Sequence, residues 1–278
     1  MAEDGIDQGE VLSPLMWRVF YDPLLCKVQE EEGLGYIAEV RIPVDSRRGT
    51  WSVERVRQAA IAYADDTTWL GKSKEEMESI LAIANEFFVI NDIQLNENKC
   101  KLLVINKKKD VGEDIQINKI VIKAAKKSAV VRMLGIWLNG RLKESLVKDK
   151  AKEIIRQTAL TLRWKKMTIS QLVYVNNIYL IPKLCYILQV SNLSKIALQK
   201  IQQPYFQLIK NKIGMARTAG NYIISHRGMM GCKLLEQELC IKQISSLQNR
   251  LNNDGTVLKL AHIRIKQGLL NVGLVAME

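Results

Sequence analysis

The sequence lacks long apolar segments, a secretory leader and paired cysteines, and each absence excludes a class of protein. No apolar run approaches the roughly 20 residues that a membrane-spanning helix needs. The first residues, Met1 to Gly5, are not a basic stretch leading into an apolar one, so a secretory signal is not expected. The five cysteines have no paired spacing, which is typical of reduced thiols. We therefore expect an intracellular protein of the nucleus or cytoplasm, neither secreted nor bound to a membrane.

Histidine is scarce as well, with two residues in the chain. Together with two cysteines, these histidines form the set His226, Cys232, Cys240 and His262. Zinc sites usually pair ligands two to four residues apart, and no pair in this set has that spacing. We predict that the chain holds no zinc and that Cys232 and Cys240 are buried small apolar residues.

Proline is also rare, and no Gly/Ser-rich linker or internal repeat separates domains. The length of 278 residues fits one large domain or two modest ones. A domain boundary must therefore come from a change in pattern. Strand and helix patterns alternate up to Asn139, and helical patterns alone follow Gly140. This predicts an α+β domain over residues 1–139 and an all-helical region over residues 140–278.

Positive charge is in excess, with 41 lysines and arginines against 29 acidic residues and a formal net charge of +12. An excess of this size favours a polyanionic partner, either nucleic acid or an anionic membrane surface. A basic surface that is simply solvated is the alternative. Charge alone does not decide between them.

Periodicity predicts the elements of the first domain. A helix is expected over residues 12–29, with Ser13 as its N-cap, followed by irregular chain to residue 57. Apolar runs at 59–63 and 67–70 predict a β-hairpin with acidic residues at its tip. Ser73 with Glu76 forms a capping-box pattern before a helix at 74–91. Three strands are then expected, at 101–106, 114–121 and 128–137.

The second region is predicted to be a series of helices. The expected spans are 144–164, 169–179 with Pro182 as a stop, 193–213, 230–251 and 257–267.

The hairpin tip carries the motif Tyr63-Ala64-Asp65-Asp66. Adjacent carboxylates repel one another unless a cation lies between them. Mg²⁺ prefers such oxygen ligands and takes its others from water and substrate phosphates. Two such ions assist phosphoryl and nucleotidyl transfer. The alternative is a solvated Asp-Asp turn, and the motif by itself does not exclude it.

The motif and its surroundings resemble a known family. Residues 62–68, Ala-Tyr-Ala-Asp-Asp-Thr-Thr, resemble the catalytic hairpin of reverse transcriptases of non-LTR (LINE-type) retrotransposons. Residues 5–15 resemble the family's Gln-Gly…Ser-Pro segment, residues 95–101 its Asn-x-x-Lys segment and residues 132–138 its Leu-Gly strand. All four segments occur in the family's order. Residues 175–184 more loosely resemble its helical region after the palm.

This resemblance implies a partial polymerase palm, residues 1–139, followed by a thumb-like helical region. The parent activity would be RNA-directed DNA synthesis with two Mg²⁺ ions, an RNA template, a DNA primer and deoxynucleotides; the oligomeric state stays open. The implied metal ligands are Asp65 and Asp66, with Lys99 as a catalytic helper near the triphosphate. Further implied positions are Gln8, Gly9 and Tyr63 for nucleotide and template binding, and Leu134 and Gly135 for the primer grip.

Basic residues after the helix at 74–91 and in the helical region would hold nucleic-acid phosphates without reading sequence. The implied backbone contacts are Lys101, Arg163, Lys165 and Lys166. Other lysines, at 107–109, are equally well explained as solubilising residues of a hairpin loop.

One departure from the family affects the expected activity. The family's first catalytic aspartate lies on a strand upstream of the Gln-Gly segment, where this sequence offers only Asp4 and Asp7, both too close to Gln8. The family's fingers would also lie upstream. We therefore expect this chain alone to be an inactive fragment. The alternatives are a non-catalytic nucleic-acid-binding relic and a chain that does not fold stably.

Overall fold

The computed structural model describes residues 11–45, 50–64, 66–96, 98–105, 113–117, 120–141 and 144–272. The chain divides into two compact units. The first unit contains Met1–Val104, Lys109–Ala125 and Arg250–Glu278, and the second contains Ile105–Lys108 and Lys126–Asn249. Each unit is a group of residues in contact with one another, whereas the boundary at residue 139 refers to the palm and thumb-like regions and stays a prediction.

Helix α1 (Ser13–Glu30) confirms the first predicted helix. Its buried residues, Tyr21, Leu24 and Val28, recur at helical spacing and face α2 (Lys74–Ile90). The predicted cap is wrong by one position. Leu12 is the N-cap and Ser13 lies inside the helix, because Pro14 already fits the first turn, where no N–H is needed.

A long hairpin follows, where irregular chain was predicted, and this prediction is wrong. Strand β1 (Tyr36–Asp45) pairs in antiparallel register with β2 (Thr50–Gln58). The prediction of irregular chain rested on Gly33, Gly35, Gly49 and Pro43. Pro43 lies where the register shifts between Pro43 and Asp45, and a bulge tolerates a missing N–H. The alternation Ala38, Val40, Ile42 was the overlooked strand signal.

The next two predictions are confirmed. Strands β3 (Ala60–Tyr63) and β4 (Asp66–Trp69) form an antiparallel hairpin. In α2, the Ser73 side chain accepts a hydrogen bond of 3.2 Å from the Glu76 N–H and caps the helix.

Two of the three strands predicted next are hairpins instead. Strands β5 (Ile115–Ile117) and β6 (Ile120–Ile122) replace the strand predicted at 114–121. Strands β7 (Val131–Met133) and β8 (Ile136–Leu138) replace the one at 128–137. The strand predicted at 101–106 is, over its described residues, a single parallel bridge between Leu102 and Ala124. Short apolar runs do not reveal a turn of two residues inside them.

The helical region is confirmed, with corrections to its helix ends. Its elements are α3 (Glu144–Arg163), α4 (Ile169–Tyr174), a π-helical segment (Val175–Leu180), α5 (Ile181–Leu188), α6 (Lys195–Lys212), α7 (Tyr222–Ser225), α8 (Leu235–Leu251) and α9 (Thr256–Val272). The predicted stop at Pro182 is wrong, because the chain continues as α5. In the preceding π-helical turn the Ile181 N–H donates to Asn176 O, and such a wide turn accommodates the proline ring.

Within the described ranges, three apolar clusters stabilise these elements. In the first unit, α1, α2 and the start of β3 enclose the buried residues Tyr21, Leu24, Val28, Ala59, Ile80, Ala84 and Phe88. Helix α9 packs against β1 and β2 around Val40, Val56 and Ile263. The second unit has the largest cluster, which includes Leu172, Leu184, Leu188, Ile201, Tyr205 and Ile209. The predicted α+β class, with a helical region after the hairpins, is therefore confirmed. None of the helices in the described part of the chain has the length and apolar character needed to cross a membrane.

Candidate active site

The β3–β4 hairpin presents the acidic motif at its closed end. Tyr63 and Asp66 are the last register pair of the hairpin, and Ala64 is the described residue between them. Ala64 has a φ of +51°, and tight two-residue hairpin turns need a positive φ at the first loop position. Asp65 lies outside the described residues. The hairpin register therefore places Tyr63 and Asp66 side by side.

Helix α1 braces this turn from the side. The Trp17 indole N–H donates a 2.9 Å hydrogen bond to Ala64 O, and the Trp17 ring stacks on Tyr21 at 5.4 Å between centroids. The Tyr21 hydroxyl accepts from the Thr67 hydroxyl at 3.1 Å. Burial raises the pKa of Tyr21, so this phenol stays protonated. Sequence reasoning missed this brace, although the aromatic pair at i and i+4 directly after Ser-Pro was visible.

A second support joins the end of α1 to the chain that leads into β3. The Arg57 guanidinium donates to the backbone carbonyls of Gln29, Glu31 and Leu34. The Ala59 N–H donates to the Gln29 side-chain oxygen at 3.3 Å. The bonds to Gln29 O and Glu31 O satisfy carbonyls at the end of α1 that the helix leaves unpaired. They also fix the residues from which β3 starts.

Tyr63 and Asp66 are open to solvent. Tyr63 is 68% exposed, and Asp66 is exposed at the first position of β4. Carboxylate oxygens are the ligands that Mg²⁺ prefers, and solvent at this end of the hairpin suits an ion that retains water ligands. Among the described residues, which do not include Asp65, no group of three or more His, Cys, Asp or Glu side chains could hold a metal ion. The donor chemistry of Asp65 and Asp66 fits Mg²⁺.

Lys99 and Lys101 lie in the same unit as the hairpin, on the turn after α2. The Lys99 N–H donates to Asn96 O at 3.0 Å, and the Lys101 ammonium donates to Asn98 O at 3.0 Å. Both side chains are exposed, as residues that contact phosphates must be. Gln8 and Gly9 lie outside the described residues.

Leu134 and Gly135 lie in the second unit and form a turn, not the strand that was predicted. Their φ angles are +46° and +81°, and two successive positive values are the requirement of a type I′ hairpin turn. The Tyr186 hydroxyl on α5 donates to Leu134 O, and a Cβ at Gly135 would lie 2.9 Å from the Tyr186 ring. Beside the turn, Arg132 lies 5.5 Å from the centroid of the Trp137 ring. Tyr186 therefore joins the turn to α5.

The remaining predicted basic residues form a short stretch at the end of α3. Arg163, Lys165 and Lys166 are all exposed. Lys212, at the end of α6, donates to Lys165 O at 3.0 Å and adds a fourth cation to this surface. Sequence reasoning missed Lys212, which is 47 residues away in the chain.

The cysteine prediction is half right. Cys232 is 1% exposed, and burial raises its pKa to about 12. Cys240, however, is exposed on α8, outside the face that buries Leu235 and Leu239. A second buried thiol was not foreseen: burial raises the pKa of Cys185 to about 11. The absence of zinc stays a prediction.

Comparison with known proteins identifies the class. The reverse transcriptase (RNA-dependent DNA polymerase) family matches residues 1–138, and these residues belong to that family, in its non-LTR retrotransposon form. A curated relative is the retrovirus-related Pol polyprotein from type-1 retrotransposable element R2 of Popillia japonica, which is 31% identical over 96 residues. The match covers 34% of this chain and 11% of that protein. The resemblance deduced from the motifs is confirmed, whereas the looser likeness of residues 175–184 stays a prediction.

Proposed function

We propose that the β3–β4 hairpin supplies metal-binding carboxylates, Asp65 and Asp66, to an RNA-directed DNA polymerase. The observation that carries the proposal is the hairpin register. It puts Asp66 at an exposed strand start directly opposite Tyr63, within the segment that belongs to the reverse transcriptase family. The substrates would be an RNA template, a DNA primer and deoxynucleotides.

The residues of this chain would divide the work as follows. Bound Mg²⁺ would stabilise charge on the attacking and leaving oxygens of nucleotidyl transfer. Asp65 and Asp66 would hold it, and the Trp17 bond to Ala64 O would keep their turn in one conformation. The exposed Tyr63 ring would pack beside the nucleotide or template.

Other positions would hold the remaining parts of the substrate. Gln8 and Gly9 would lie near the nucleotide and template. Lys99 would place positive charge near the triphosphate, which favours the developing negative charge. The Leu134–Gly135 turn would contact the primer strand through its backbone.

The chain of 278 residues is proposed to bind template and primer without extending the primer. Its carboxylates are those of Asp65 and Asp66, while the resemblance implies a further catalytic aspartate on another palm strand. Two-metal chemistry with one carboxylate missing is severely impaired.

Primer extension tests this proposal. The purified chain is incubated with an RNA template, an annealed DNA primer, deoxynucleotides and Mg²⁺. We expect no extension and measurable binding of the hybrid. Mg²⁺-dependent extension that is lost in Asp65→Ala and Asp66→Ala, but kept in the surface control Asp149→Ala, would overturn the proposed inactivity. It would also establish the role of the hairpin.

Metal binding by the hairpin has a separate test. Mn²⁺, a stand-in for Mg²⁺ with a paramagnetic signal, is titrated into the wild-type chain and the Asp65→Asn/Asp66→Asn variant. The wild-type chain should bind more Mn²⁺ at the same free concentration. Equal binding by both proteins would contradict the metal assignment.

Nucleic-acid binding without chemistry is the second candidate function. The observation in its favour is the net charge of +12. Neutralising phosphates releases counterions, so affinity for the hybrid should fall steeply as salt rises. Steep salt dependence without extension, together with equal Mn²⁺ binding by the wild-type chain and the Asp65→Asn/Asp66→Asn variant, supports this candidate over the first. Affinity that does not change with salt contradicts it.

A further inference from the structure

The end of α3 exposes a large aromatic ring among cations. Trp164 is 80% exposed and directly follows Arg163, while Lys165 and Lys166 come next, all exposed. We call residues 163–166 the α3-end segment. Its neighbours on both sides, Leu162 and Met167, pack against the core of the second unit. In this short connection the apolar neighbours of Trp164 pack against the core, whereas the indole itself lies in solvent.

The α3-end segment is held in place by hydrogen bonds. The Lys165 N–H donates to Leu162 O at 3.2 Å, and Lys212 donates to Lys165 O at 3.0 Å. On the other side, Thr168 and Gln171 cap each other at the start of α4, with bonds of 3.0 and 3.3 Å. A segment that hydrogen bonds already hold loses less conformational entropy on binding a ligand than a mobile loop would lose.

The ring itself is arranged for stacking. The Arg163 guanidinium lies 5.1 Å from the Trp164 ring centroid, a cation–π distance. The ring remains 80% exposed despite this contact, so a flat ligand can reach it. Lys165 and Lys166 follow the ring in the chain, and the Lys212 ammonium binds Lys165 O, so four cations belong to this short surface. The ligand this site fits carries both a π face and negative charge close together, as a nucleotide of a strand does.

An unpaired strand fits better than a duplex. In a duplex the base faces stack on one another, and base edges, sugars and phosphates are what a protein can contact, so an exposed indole gains little by stacking. In a single strand each base offers a free face, and stacking on an aromatic side chain is sequence-tolerant. We infer that the α3-end segment binds single-stranded nucleic acid, with Trp164 stacking on an unpaired base and the surrounding cations contacting its phosphates. This inference rests on the proposed function and extends it to the unpaired part of the template or primer.

The test compares two labelled ligands by fluorescence anisotropy: a single strand of 12 nucleotides and a blunt RNA–DNA hybrid of 12 base pairs. Stacking on an aromatic side chain contributes about 1–3 kcal/mol per base, so Trp164→Ala should weaken single-strand binding roughly tenfold. Trp164→Phe should keep most of the affinity. Binding of the blunt hybrid should change by less than about twofold, because the phosphate contacts remain.

Trp51→Ala is the matched control, since Trp51 is 60% exposed but lies on β2 in the first unit. It should leave both affinities unchanged, and circular dichroism should show that each variant is folded. Poly-glutamate of equal charge should compete for the chain more weakly than an unlabelled single strand does, because poly-glutamate has no base to stack on Trp164.

Each outcome decides the inference. Unchanged single-strand affinity in Trp164→Ala overturns it while leaving the proposed function intact, provided the wild-type chain still binds the hybrid. Equal losses on both ligands, or poly-glutamate competing as well as the strand, also overturn it. A wild-type chain that binds neither ligand overturns the inference and the nucleic-acid function together.

Discussion

At the scale of single residues, the turn between β7 and β8 carries the clearest backbone strain. Leu134 has a φ of +46°, a left-handed conformation that costs a residue with a Cβ about 1–2 kcal/mol. Such strain persists only where surrounding contacts impose it, and it is concentrated at functional positions. Here the Tyr186 hydroxyl holds Leu134 O, while the Tyr186 ring fills the space beside Gly135. The proposed primer-contacting turn is thus positioned by a helix residue.

Gly135→Ala should be one of the most destabilising glycine changes in the second unit. The new Cβ would meet the Tyr186 ring at 2.9 Å, and φ at this position is +81°. Strain and overpacking together should lower the free energy of unfolding by about 2–4 kcal/mol. Gly214→Ala is the matched control, because its φ is +70° but nothing lies within 4 Å. That control should cost about 1 kcal/mol in the same urea titration.

A double-mutant cycle isolates the ring contact. Tyr186→Ala removes the ring, so Gly135→Ala should cost less in that background than in the wild-type chain. Equal costs for the two glycine variants, or a perfectly additive cycle, would contradict the proposed packing of Tyr186 on the turn.

Arg57→Ala tests the support beneath the β3–β4 hairpin. The variant leaves the carbonyls of Gln29, Glu31 and Leu34 without their shared donor. Losing charge-assisted bonds in a half-buried place should lower the free energy of unfolding by about 2–3 kcal/mol. Arg55→Ala is the neighbouring control, since its 2.6 Å ion pair with Glu39 is exposed, and exposed pairs contribute little to stability. Chemical denaturation that ranks the two variants equally would count against this support.

At the scale of elements, a buried polar network fastens the chain before α8 to the helical core. The Gln202 side chain accepts from the Leu235 N–H at 2.8 Å and donates to Lys233 O at 2.8 Å. From the π-helical segment, Asn176 donates to the same Lys233 carbonyl at 3.1 Å, and Asn177 accepts from the Lys233 N–H at 2.8 Å. The wide π-helical turn is therefore the part of the helix that meets this network.

Gln202→Ala should destabilise the second unit by about 2–4 kcal/mol. The variant removes a side chain that is 2% exposed. It takes the acceptor from the Leu235 N–H and a donor from the Asn176 side-chain oxygen, whereas Lys233 O keeps its bond from Asn176. An unsatisfied buried donor or acceptor costs about 1–3 kcal/mol each. Gln199→Ala, one turn earlier on the exposed side of α6, should change stability by less than about 0.5 kcal/mol. Thermal melting of the two variants measures the difference, and similar melting temperatures would refute the role of the network.

The elements also show where sequence reasoning succeeds. Helix α2 was predicted to within one residue because its cap and its apolar period are both local signals. The β1–β2 hairpin was missed because Pro43 looked like a breaker, although a bulge accommodates it. The β7–β8 turn was missed because a leucine at positive φ is rare, and only the contact with Tyr186 explains it. Local rules fail where a distant residue decides the conformation.

At the scale of the whole molecule, the candidate site has parts that local sequence signals predict and parts that depend on contacts between distant residues. The hairpin and its acidic end follow from a few adjacent residues. The Trp17 brace joins positions 47 residues apart, and the Lys212 contact with Lys165 spans 47 as well. Such pairs leave no periodic trace in one sequence. The motif is therefore readable, whereas the residues that keep it in position require the fold.

Alkaline pH should lower the free energy of unfolding of the second unit, because its core contains thiol and phenol groups that burial keeps protonated. Burial raises the pKa of Cys185 to about 11 and that of Cys232 to about 12, and it also raises the pKa of Tyr205. In the unfolded chain these thiols would ionise near their ordinary value of 9.0. Above pH 9 the unfolded state thus holds fewer protons than the folded one, and stability falls as pH rises.

Below pH 9 these groups should therefore not change the free energy of unfolding with pH. Between pH 9 and 11 each buried thiol should remove up to about 1.4 kcal/mol per pH unit. Urea titrations from pH 8 to 10.5, followed by circular dichroism, measure this slope. Cys232→Ala should lower the stability at pH 8 yet flatten the slope, since one retained proton is gone. Cys240→Ala, at an exposed position, should leave the slope unchanged. A slope that is the same in both variants would mean that the buried thiols do not control the alkaline stability of this unit.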